Sequence, residues 1–203
     1  MNSIKDTVTN EITIEKSRFI TYLFKCDNQI DAKSIILDMN KKYADATHVV
    51  YAFITEKDTR SNDNGEPKGT AGLPTLEVLR KEKMTNVLAV TIRYFGGIKL
   101  GAPGLVRAYT KGVSEALKKA IITHQELVSN ITLNTSYKDS FYLDKNLNLA
   151  MDYKKEYDNR VTYHIKLLEK DLDNFKELFV NLKDEYRFEL LNSEVLFIWK
   201  KCL

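Results

Sequence analysis

Two periods alternate through the first 120 residues, and each marks an element. Ile20, Tyr22, Phe24 and Cys26 alternate with Thr21, Leu23 and Lys25, and Ile12 and Ile14 do the same earlier, which predicts a hairpin or one long bent strand. The period then lengthens. Ala32, Ile35, Ile36, Met39 and Tyr43 recur at spacings of three and four, a helix for which Asp31 is the expected N-cap and Ile30 with Ile35 the expected hydrophobic staple. The β-branched and aromatic run THVVYAFI at 47–54 is a strand, and residues 55–73 read as a long, turn-rich loop. Pro74 suits a first helical turn, and Leu76, Val78 and Leu79 extend it into a short helix. The apolar run VLAVTIRYF at 87–95 predicts a central strand covered on at least one face. From Pro103 a second long helix follows. Leu105, Ala108, Tyr109, Gly112, Val113, Ala116, Leu117 and Ala120 form its stripe, with Arg107, Lys111 and Lys118 opposite.

After Thr123 the glycines and prolines stop. The remaining pattern reads strand (127–137), helix (141–151), strand (153–157), strand (161–168), helix (172–182) and strand (188–199), with Asp158-Asn159 turning between the middle strands. A βαββαβ order of about 75 residues is ferredoxin-like. The expected class is therefore α+β in two domains, 1–125 and 126–203, with a short linker around Glu126.

Composition narrows the class of function. No run of about eighteen apolar residues is present, so no membrane partner is expected. The opening MNSIKDTVTN lacks the basic start and apolar middle of a secretory signal, and the expected compartment is the cytoplasm. Cys26 and Cys202 lie far apart without CxxC spacing, which argues against a disulfide framework or a zinc ribbon. The net charge is +3, but its distribution is uneven. Residues 80–119 hold nine basic side chains against Glu82 and Glu115. Such a segment beside a flexible loop is what contact with a polyanion requires, although a solvated helix face gives the same count.

The most unusual backbone lies in the same region. Seven of the eight glycines and all three prolines fall between Gly65 and Gly104. Gly96, Gly97, Gly101 and Gly104 join the strand ending near Phe95 to the helix from Pro103, an order that can aim backbone N–H groups at an anion, with Arg93, Lys99 and Arg107 as counter-charge. This is no Walker A loop: Ala102 and Pro103 stand where Lys and Ser/Thr are needed, and GxGxxG is absent too. His48, Asp63 and Glu66, with Arg93, are the candidates for acid–base work in a polar cleft. They match no metal-ligand spacing, and no metal or cofactor is expected.

Four stretches carry a family resemblance: KSRF at 16–19, DATH at 45–48, DNGEPKGTAGLP at 63–74 and RYFGGIKLGAPGLVRAY at 93–109. In that order and at those intervals the chain resembles the IMPACT/YigZ family, strongly over residues 10–120. The resemblance implies an N-terminal βαβ superfold of the kind found in certain ribosomal proteins and small-molecule kinases. It also implies a C-terminal domain like those of elongation factor G, and a role in translation, since eukaryotic relatives act in translational control. Three positions depart from the family pattern. Asn64 replaces a second acidic residue and removes a metal ligand or base. Lys68 stands for serine and adds positive charge, and Pro103 stands for glycine at a position expected to be the first of the helix.

These readings converge on a translation-associated regulator that binds RNA or a ribosomal component through the glycine-rich cleft, with Lys68, Lys111 and Lys118 adding nucleic-acid contacts. Two rivals stand beside it: an enzyme, hydrolytic or phosphate-handling, using His48, Asp63, Glu66 and Arg93, and a scaffold that meets only proteins.

Overall fold

The computed structural model describes residues 1–198. Cys202 and the expected end of the last strand at residue 199 lie outside them. The chain divides into two compact units, of which the first covers Met1–His124 and the second Gln125–Ile198.

The first unit is built on an antiparallel sheet of order β2-β3-β6-β4-β5, comprising β2 (Val8–Ile14), β3 (Ser17–Lys25), β4 (His48–Ile54), β5 (Thr59–Asn62) and β6 (Val87–Tyr94). Every residue of β6 but the last is buried, as its unbroken apolar run predicts for a strand with neighbours on both sides and helices on both faces. One face carries Ile20, Val49, Phe53, Leu88, Val90 and Ile92 against α1 (Gln29–Lys42). The other face meets α2 (Gly72–Lys81) and α3 (Gly101–Lys119): Leu23, Ala52 and Ala89 pack with Leu76, Leu79 and Val113, and Phe19 and Val50 pack with Leu105, Ala108 and Tyr109. Removing a side chain from such a layer, as in Leu88→Ala, costs about 2–5 kcal/mol.

Several local expectations shift. The N-cap of α1 is Asn28, not Asp31: the Asn28 Oδ1 accepts from the N–H groups of Ile30 and Asp31, and Asp31 lies in the first turn, favourable to the helix dipole. Ile30 is 79% exposed, so it forms no staple with Ile35. α3 starts at Gly101, two residues before Pro103, which still lies in the first turn where no intrahelical acceptor awaits an N–H. β5 lies within the stretch expected to be loop throughout, and β1 (Asn2–Ile4) was not anticipated either. No helix among the described residues is long and apolar enough to cross a membrane.

In the second unit, β7 (Ile122–Thr135), α4 (Tyr137–Asp144), β8 (Ala150–Tyr157), β9 (Val161–Leu168), α5 (Leu172–Glu177) and β10 (Arg187–Ile198) follow the expected βαββαβ order. Their strands lie in the order β10-β7-β9-β8, the ferredoxin-like arrangement. Ile131, Leu133, Val161, Tyr163, Ile165 and Leu167 form the covered face with Leu143, Leu172 and Phe175. The expected linker around Glu126 is instead strand: β7 runs through that position, and its first three residues pair with β1. α4 begins four residues early because the Ser136 hydroxyl caps it by accepting from the Asp139 N–H.

Candidate functional site

Strand register brings the first three site residues into one row. Phe19 and His48 are both paired with Arg93, on β3 and β4 respectively, so their side chains stand on the sheet face that α2 and α3 cover. Arg93 is buried. Its Nη1 donates to the Glu66 Oε1 at 2.7 Å, its Nη2 reaches the Ser17 Oγ at 3.4 Å, and its guanidinium lies 5.3 Å from the Phe19 ring centroid and 5.5 Å from that of Phe95. Tyr109, from the buried stripe of α3, donates its hydroxyl to the same Glu66 oxygen at 2.7 Å. Burial and the neighbouring carboxylate push the Tyr109 phenol well up, which keeps it a donor.

Glu66 reaches this point on a loop that another carboxylate shapes. Asp63 accepts backbone N–H groups from Gly69, Ala71 and Gly72 at 2.8–3.1 Å, closing the turn that leads into α2. Burial opposes its ionisation, but the three N–H groups outweigh that and hold the carboxyl below its ordinary value. Asn64 takes a positive φ of 43°, donates its amide to the Val49 carbonyl and lends its own carbonyl to His48 Nδ1 at 2.8 Å. A carboxylate at that position could not donate to Val49, so the departure at Asn64 has a structural use.

The glycine loop divides by role. A Cβ on Gly96 would lie 2.0 Å from the carbonyl carbon of Lys16, in the two-residue turn between β2 and β3, and the Gly96 N–H donates to the Ser17 hydroxyl. The KSRF and RYFGG stretches are thus stitched together by packing. Gly101 takes a φ of 68° at the start of α3, where no side chain caps the helix and no acidic residue lies in the first turn.

Between the Glu66 loop and this helix start lies a cavity of about 420 Å³, lined by Thr47, His48, Glu66, Pro67, Arg93, Phe95, Lys99, Leu100, Gly101, Ala102 and Leu105. Of the sequence candidates, His48, Glu66, Arg93, Lys99 and Gly101 line it. Asp63 is spent on backbone, Gly96, Gly97, Gly104, Arg107 and Lys68 lie off the lining, and Lys111 and Lys118 are exposed farther along α3, Lys118 paired with Glu115. Phe95, Thr47 and Leu100 were not singled out from sequence, and Tyr109 appeared only as a core position. A tyrosine in a stripe of small and aliphatic residues was the available signal, because a buried hydroxyl needs a partner. His48 Nε2 faces Glu66 Oε2 at 3.8 Å. Among the described residues no three His, Cys, Asp or Glu side chains gather to hold a metal.

The model of the Impact N-terminal domain matches residues 15–117, the stretch containing every residue of this site. A Bacillus subtilis protein named IMPACT family member YvyE is 36% identical over 185 residues, 89% of this chain and 85% of that protein. The chain belongs to the IMPACT family. A second IMPACT family member, YigZ of Escherichia coli, is 38% identical over 136 residues, covering 64% of this chain and 66% of its own. A solved structure described as a hypothetical protein matches with a TM-score of 0.60 and 28% identity, over 94% of this chain and 97% of that one.

Proposed function

We propose that this IMPACT protein is a binding module of the translation apparatus that holds RNA at the cavity beside the start of α3. The observation that carries the reading is the charge balance of that cavity. Its one carboxylate, Glu66, is matched by Arg93, which leaves Lys99 as the unmatched cation of the lining, next to the uncapped N-terminus of a 19-residue helix. Arg107 and Lys111 are exposed on the same helix and extend the positive surface. The family resemblance supplies the connection to translation. Fluorescence anisotropy with labelled RNA at several salt concentrations tests it: log affinity falls linearly with log salt, and Lys99→Ala lowers the slope by about one unit. Binding that is undetectable, or indifferent to salt, overturns the reading.

One observation favours a second reading, acid–base catalysis. The Nδ1 of His48 is fixed on the Asn64 carbonyl, which leaves Nε2 beside Glu66 Oε2 as a base that lines the cavity. An enzyme of this kind loses turnover in His48→Ala.

A further inference from the structure

Glu66 is used on one oxygen only. Its side chain is 2% exposed and Oε1 accepts from both Arg93 and Tyr109, yet Oε2 accepts no hydrogen bond from any described residue. The nearest polar atom is His48 Nε2 at 3.8 Å, beyond hydrogen-bond distance. Because Nδ1 carries its proton toward the Asn64 carbonyl, Nε2 of the neutral ring is also an acceptor. With the ring neutral, two acceptors therefore face one another at the cavity wall, and a donor that reaches both from the cavity side satisfies them together. That oxygen belongs to a residue that lines the cavity, so a ligand that enters with a donor can pair with it.

The lining also holds a platform. Phe95 is 45% exposed, and the Arg93 guanidinium covers one side of its ring, leaving the ring itself at the cavity edge. Pro67, Leu100 and Leu105 add apolar lining, and the exposed Lys99 adds a positive charge. A flat ring with an amino group at its edge and a phosphate behind it matches all three features. We propose that the cavity takes one unpaired nucleotide, its base stacked on Phe95, its exocyclic amino group between His48 Nε2 and Glu66 Oε2, and its phosphate at Lys99. This rests on the RNA reading above and adds to it a preference for single strands and for bases that carry an amino group. Uracil fails the test because it presents a carbonyl where cytosine presents –NH₂, placing a third acceptor against the other two.

The sharpest experiment compares short oligocytidine with oligouridine, since the two pyrimidines have the same ring size, and repeats both with Phe95→Ala and Phe95→Tyr. Oligocytidine is expected to bind about tenfold more tightly than oligouridine, and Phe95→Ala to remove about tenfold, which Phe95→Tyr restores. A duplex of the same length binds more weakly than the cytidine strand. Equal affinity for both strands and the duplex, unchanged by Phe95→Ala but still falling with salt, overturns the nucleotide pocket and leaves the RNA reading standing. No binding of any polymer overturns both. Cytidine monophosphate binding as tightly as the oligomer overturns strand recognition and assigns the cavity to a free nucleotide.

Discussion

Each unit of this protein braces a loop with a carboxylate that accepts backbone N–H groups, and the first unit then does something the second does not. In the second unit Asp139 accepts the N–H groups of Lys183 and Asp184, and in the first Asp63 accepts those of Gly69, Ala71 and Gly72. Both are saturated by backbone and act as braces. Glu66, three residues beyond Asp63, is matched by side chains from two other elements and keeps one oxygen unpartnered at a cavity. A carboxylate in a loop is therefore not by itself a mark of scaffold or of site. Which lone pairs remain after the chain has folded decides.

The largest expected effect tests how tightly that arrangement is coupled. Glu66→Ala strands the Arg93 guanidinium in the interior and is expected to cost about 3–5 kcal/mol in urea denaturation. A loss below 1 kcal/mol would show that Arg93 does not depend on its partner. The braces come next: Asp63→Ala and Asp139→Ala each leave backbone N–H groups without acceptors, at a cost of about 1–3 kcal/mol. Hydrogen exchange should localise the damage. Asp139→Ala quickens exchange in α4 and around Lys183 while β6 keeps its protection.

Acid acts on the same two braces together. Both carboxyls are held below their ordinary values, since backbone N–H groups outweigh the opposing effect of burial. Their stabilisation is complete above the unfolded value of about 4 and disappears as pH falls through the depressed folded values. Stability measured between pH 5 and 2 should accordingly fall less steeply in the Asp63→Ala, Asp139→Ala double variant than in the parent. The smallest effect belongs to Ile30→Ala, which changes stability by no more than about 0.5 kcal/mol because that side chain is exposed and staples nothing.

Periodicity made β6, α3 and the βαββαβ order of the second unit legible, because each carries its pattern within its own sequence. Elements that exist only through distant partners left no such mark. β5 is the polar segment TRSN, a strand because β4 offers it an edge, and β1 is three residues held by β7 across more than a hundred positions. Caps were misplaced by a few residues for a related reason: Asn28 and Asp31 are both competent N-caps, and the winner depends on where the chain leaves β3. At the site, residue types were readable and their duties were not. Asp63 and Glu66 look alike in DNGEP, and only the fold turns one toward backbone N–H groups and the other toward Arg93. Arg93 itself was expected to meet an anionic ligand, and the anion it meets is Glu66.

Mapping amide chemical shifts while a cytidine strand is added tests the central claim most directly, since it reports where the ligand sits without altering any residue. The account predicts the largest changes at Gly65, Phe95, Lys99 and Gly101, all around the cavity at the start of α3, with α1 and the second unit undisturbed. Changes concentrated in the second unit, or spread evenly over exposed lysines, would contradict it.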